Sequence, residues 1–206
     1  VTKEQVYNYI LVNTNQYFVG KENFEINEDV LNGLIWKALN MWGEHYPVYT
    51  IAPVALTSNK LKLETLTDKF GITRNIRGVT GIFYNDFTKV YFEGAKDAYR
   101  VQWQWRYDDV NNVLYTPIND GSIYYIEALC TPVLDDVNST ETLFLELVTG
   151  LALIYIGHNR TDFALAELPF DIRDLRDEGQ QIVDRVLEEL DKGDDTNWAY
   201  AIDLLS

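Results

Sequence analysis

The spacing of apolar residues changes twice along this chain, and no all-helical or all-β fold accommodates that. Up to Pro47 they recur at helical intervals: Val6, Tyr9, Ile10 and Tyr17, then Leu31, Leu34, Ile35, Ala38, Leu39 and Trp42, the period of helices with one apolar face. From Val48 to Pro132 β-branched and aromatic residues dominate between Gly, Asn and Asp punctuation, which is the grammar of short strands and turns. After Pro132 the helical period returns, with Leu143, Phe144, Leu147, Val148, Leu151, Ile154 and Tyr155, then Leu175, Ile182, Val186 and Leu190.

The element ends carry their own signals. Thr2 followed by Gln5 fits a capping box, and Asn27 ahead of Glu28 and Asp29 suits a second helix start, where acids meet the positive end of the helix. Gly20, Gly43 and Gly193 are expected helix stops, and Pro169 a break. Expected strands are Val48–Ile51, Lys60–Glu64, Val79–Asn85, Lys89–Phe92, Tyr99–Tyr107, Asn112–Thr116 and Ser122–Leu129, with "DDVNN" and "INDG" as turns. The run Leu147–Gly157 has no charge and falls short of the ~20 apolar residues of a membrane span, so it reads as a buried core helix. Gly179 lies on the apolar face of the last long helix. A glycine there costs about 1 kcal/mol against alanine, which a close helix contact would explain.

These signals lead to an α+β expectation: a four-helix bundle, two helices from each end of the chain, with an inserted antiparallel β-sheet region. The boundaries are 1–47 for the N-terminal helical hairpin, 48–132 for the β region, 133–193 for the C-terminal helices and 194–206 for an acidic and apolar tail.

Charge and motifs narrow the function classes. The net charge is −15 over 206 residues, and residues 133–206 hold 17 acids against 5 bases. Such a surface repels nucleic acid, because phosphate affinity comes from lysine and arginine; it reads either as a solvated helix face or as a surface set beside DNA that must not stick to it. The one cysteine, Cys130, cannot build a disulfide framework or a cysteine-rich zinc site. The start "VTKEQVYNYI" lacks a signal-peptide pattern. His45 and His158 each follow an expected helix end, where imidazole meets free carbonyls. No HExxH, CxxC, GxSxG, Walker or GxGxxG pattern occurs, and the adjacent aspartate pairs belong to turns. No cofactor or metal is expected, and no enzyme.

The feature left over is aromatic. In "RVQWQWRYDD" Trp103, Trp105 and Tyr107 share one parity, and Tyr125 lies on the next strand. Those rings are expected either in the core or against another molecule. Because residues of both parities in Ile123–Cys130 are apolar, both sheet faces need cover. The tail adds Trp198, Ile202 and Leu205 at helical spacing.

Three stretches taken in order, "GLIWKALNMWGEHYP", "RYDDVNNVLYTPINDGSIYYIEAL" and "LALIYIGHNRTDFALAELPFDIRDLRDEGQQIVDRVLEEL", resemble the head–tail adaptor proteins of tailed bacteriophages, of the gatekeeper or tail-tubular type. The resemblance implies a structural virion protein at the portal–tail junction, made in the host cytoplasm. It implies a homo-oligomeric ring of about twelve subunits, bound to the portal protein and to a downstream tail or nozzle protein. DNA would pass through the lumen without sequence recognition, and no membrane would be involved. The interface candidates are then Trp103, Trp105, Tyr107, Tyr125, Trp198, Ile202 and Leu205. The alternative is a non-enzymatic binding module whose aromatic strand face recognises carbohydrate.

Overall fold

The computed structural model describes residues 1–14, 26–84, 99–101, 104–138, 141–163 and 172–203, without the side chains of 160–163, 172–174 and 193–203. The chain divides into two compact units, Val1–His45 with Val133–Ser206, and Tyr46–Pro132.

In the first unit, α1 spans Lys3–Asn13, α2 Glu28–His45, α3 Thr142–Phe163 and α4 Ile172–Asp203. The capping box forms: the Thr2 hydroxyl accepts from the Gln5 amide at 3.2 Å, and the Gln5 side chain accepts from the Thr2 amide at 2.8 Å. Asn27 caps α2 through a 2.9 Å bond from the Val30 amide. Gly43 lies inside α2, and α4 continues past Gly193 to Asp203. A lone glycine weakens a helix but keeps both backbone hydrogen-bonding groups, so it does not have to end one. Gly20, Tyr17 and Pro169 fall outside the described residues.

The four helices do not form the expected four-helix bundle. All three others pack on α3, with α4 making by far the most extensive contact. Phe144, Leu147, Val148, Gly150, Leu151, Ala152, Leu153, Ile156 and Gly157 are all buried, and at 100° per residue they lie on every side of α3. A helix apolar all round is a hub for several neighbours, whereas a bundle needs four helices that each offer one stripe to a shared centre. The stretch Thr142–Asn159 is long and apolar enough to cross a membrane by composition, and more than half of it is buried inside the unit.

The α3–α4 contact is backbone on backbone. A Cβ on Gly179 would come within 2.6 Å of the Gly150 carbonyl oxygen, and one on Gly150 within 2.9 Å of the Gly179 carbonyl oxygen. About two turns further along α3, a Cβ on Gly157 would meet the Arg176 backbone nitrogen at 3.1 Å. The helical-face glycine expected to mark a close approach does so. Trp42 of α2 packs edge-on against Phe144 at 5.7 Å, and Arg185 of α4 bonds Glu146 of α3 at 2.7 Å.

The second unit holds two antiparallel sheets rather than one. The strands are β1 Val48–Ala55, β2 Lys60–Lys62, β3 Thr65–Thr67, β4 Thr73–Phe83, β5 Arg106–Asp108, β6 Val113–Tyr115 and β7 Ile123–Cys130. They order as β1-β7-β4-β3 and β2-β6-β5. The expectation missed β3, whose Thr-Leu-Thr is too short to show a period, and Lys89–Phe92 lies outside the described residues. Both sheets feed one core, in which Leu66, Ile76, Ile82, Leu114, Ile126, Ala128 and Cys130 are buried. The β3–β4 turn is tied by Asp68, whose carboxylate accepts from the Phe70 and Ile72 amides and from buried Arg74 at 2.7 Å. The Arg74 guanidinium, above all, holds the Asp68 carboxyl below its usual pKa.

Candidate interaction surface

The aromatic row does not lie along one long strand. Among its described residues only Arg106–Asp108 is strand and Arg100 makes an isolated bridge to Phe83, while Trp103 lies outside the described residues. The break follows from hydrogen bonding: the Val101 amide donates to Ile82 of β4, whereas Arg106–Asp108 pairs with β6. The segment therefore leaves one sheet and joins the other.

Tyr107 turns into the β core and is half-buried there. Its hydroxyl sits 2.8 Å from the Leu63 carbonyl oxygen, to which it donates, and 3.1 Å from the Asn112 side chain. Burial, helped by the nearby Asp109, pushes this phenol up to about 12. Trp105 is half-buried and packs against the same core. Its remaining surface lines an open cleft of about 600 Å³ with Gln104, Arg106, Tyr115 and Asn59. On the outer face of the three-stranded sheet, Lys60, Tyr115 and Arg106 stand in one cross-strand row. The Arg106 guanidinium lies 4.5 Å and the Lys60 ammonium 5.6 Å from the Tyr115 ring centre, within cation–π range.

Tyr125 lies elsewhere, on the outer face of the four-stranded sheet. Register places Tyr49 beside Leu129, Ile51 beside Glu127, Pro53 beside Tyr125 and Ala55 beside Ile123. The opposite parity, Thr50, Ala52, Tyr124, Ile126, Ala128 and Cys130, is buried. So the outer face is a second apolar strip, about 20 Å long along β1, in which Tyr49 is 66% and Ile123 62% exposed. At its centre Glu127 is buried and accepts a 3.0 Å hydrogen bond from the Thr80 hydroxyl. Register shifts in β4 on either side of Gly78 and Val79 place Thr80 there. Gly81 leaves the space over which the Phe83 ring lies, since a Cβ on it would sit 2.7 Å from that ring.

Trp198 and Ile202 fall within the backbone of α4, but their side chains, like all of Leu205, are outside the described residues. Sequence reasoning missed Tyr49 and the Lys60–Tyr115–Arg106 row. The turn between β5 and β6 could have paired Arg106 with Tyr115, but nothing local announces Lys60, which joins them only through β2–β6 pairing.

Among the described residues no three His, Cys, Asp or Glu side chains are grouped to hold a metal ion. No protein-family model matches the sequence, and no curated protein matches it.

Proposed function

We propose that this chain is a structural virion subunit of the head–tail adaptor type. It assembles into a ring at the portal–tail junction, contacts the portal protein and a downstream tail protein, and extends the channel through which DNA passes. The observation that carries this reading is the apolar outer strip of the four-stranded sheet. Tyr49 and Ile123 are exposed on it, with half-buried Ile51, Tyr125 and Leu129 between them, on a unit whose core lies on the other side of the sheet. Heterologous contacts of such faces close into rings. The charge partition fits the same role, because acids concentrated in residues 133–206 repel a DNA backbone rather than grip it.

A carbohydrate platform on Trp103, Trp105 and Tyr107 needs three rings on one open face. Tyr107 is committed to the core and Trp105 is partly so, which weakens that alternative.

The test is the mass of the purified chain by size exclusion with light scattering, alone and with its portal protein. The adaptor reading expects a ring, in at least one of the two conditions, and expects Tyr49→Ser with Ile123→Ser to disperse it without changing the circular dichroism. A chain that stays monomeric in both conditions and binds glycan arrays would overturn it.

A further inference from the structure

We infer that the Lys60–Tyr115–Arg106 row receives the acidic outer stripe of α4 from a second copy of the chain. The contact presupposes the ring proposed above and adds which surfaces meet in it.

The row is a cationic site in an acidic protein. Among the described residues neither the Lys60 ammonium nor the Arg106 guanidinium has an ion-pair partner, although the chain carries a net charge of −15. Lys62 and Arg74, in the same unit, are each paired with an acid. Stacking on Tyr115 holds the two cations in place, which reduces the entropy lost when they bind a carboxylate. Beside them the Trp105 cleft is open, so an extended partner can lie across the sheet.

The occupant is chosen by charge and spacing. On α4, Gly179, Val183, Val186 and Leu190 are buried. At 100° per residue, the side opposite them carries Asp177, Gln181, Asp184 and Glu188, a stretch acidic at three of four positions with Arg185 and Lys192 along one border. Asp177, Asp184 and Glu188 are exposed. Residues seven apart on a helix, such as Asp177 and Asp184, are about 10.5 Å apart along its axis. Lys60 and Arg106 sit on strands separated by β6, two strand spacings or about 9.5 Å. A helix laid across the strands therefore sets one carboxylate against each cation, with Gln181 over the Tyr115 hydroxyl. A nucleic acid or an acidic polysaccharide offers the same charge. However, two cations neutralise few of its groups, and the rest of this acidic chain repels it.

Sedimentation velocity, under the condition in which the wild type assembles, tests the contact with exposed residues only. Lys60→Glu with Arg106→Glu should weaken assembly by roughly tenfold or more, as should Asp177→Lys with Asp184→Lys. Mixing the two charge-reversed proteins should restore assembly, since each then complements the other, and high salt should weaken the wild-type contact. Assembly that is indifferent to the cation reversal, or charge-reversed proteins that do not recover on mixing, would overturn the contact and leave the ring intact. A tryptophan fluorescence response to polygalacturonate or single-stranded DNA that is lost in K60E/R106E, with assembly unchanged, would give the cleft to those ligands instead. A wild type that never assembles removes both the contact and the ring.

Discussion

The helical unit and the β unit are held by different kinds of contact. In the helical unit the closest approach is main chain to main chain, where Gly150, Gly157 and Gly179 let α3 and α4 touch with no side chain between them. In the β unit the core is made of interleaved side chains from two sheets, and one sheet keeps a second apolar face outside that core. Backbone contact leaves no slack, so the helical unit tolerates few changes at its centre. The β unit can vary its outer face without disturbing the inner one, because alternate residues of a strand belong to different surfaces. That freedom suits a surface that meets partners, and the proposed contacts use the outer faces of both sheets, one of them against the exposed side of α4.

The largest effect is expected at Gly179. Gly179→Leu forces the helices apart and should cost about 4 kcal/mol. Even Gly179→Ala should lower the denaturation midpoint, because the first atom met is a carbonyl oxygen that cannot rotate away. A neutral Gly179→Ala would show that the helical unit has slack after all. Next in size, Ile126→Ala removes a fully buried side chain where β7 faces the common core. It should cost about 3 kcal/mol, with hydrogen exchange rising first in Tyr46–Pro132. Amides of α3 opening first would mean that the two units do not keep separate cores.

The smallest effect is expected at the aromatic hairpin. Tyr107→Phe should cost about 1 kcal/mol through the lost hydroxyl bond. The folded phenol holds its proton more tightly than an unfolded one. Its contribution is therefore intact below the ordinary tyrosine pKa of about 10 and fades as pH rises toward about 12. Ultraviolet titration should show one late-ionising tyrosine fewer in the variant, Tyr9 and Tyr124 being raised as well; an unchanged number would place Tyr107 outside the core. Asp68 gives the opposite sign. Its depressed pKa means a contribution present above the ordinary carboxylate range and lost as pH falls through the folded value.

Much of the local structure was legible from the sequence because it depends on near neighbours. The Thr2–Gln5 box, the Asn27 cap and the turn at Asp108–Asn112 follow from side chains within a few positions, and Gly179 on an apolar helix face announces a close contact without naming its partner Gly150. The helix arrangement was not legible. An apolar run such as Leu147–Gly157 says that α3 is buried, but not that its neighbours gather around it instead of closing a bundle. The aromatic row misled for a related reason: alternation says which side chains share a face, while pairing partners decide where a strand stops. Arg100 and Val101 pair with β4 and Arg106–Asp108 with β6, so one alternating run was split between two sheets.

Neighbouring residues marked where helical segments give way to strands and return, where the acids concentrate, and that one sheet would carry apolar residues on both faces, but not the short β3, the division of the Tyr99–Tyr107 run or the continuation of α4 past Gly193. Periodicity, caps and charge are properties of neighbours along the chain. The tertiary structure alone decided that α3 is a hub, that Tyr107 points inward while Tyr49 and Ile123 stay in water, and that Lys60 meets Tyr115 and Arg106. Each of those depends on strand register or helix docking between residues far apart in sequence, which no local pattern encodes.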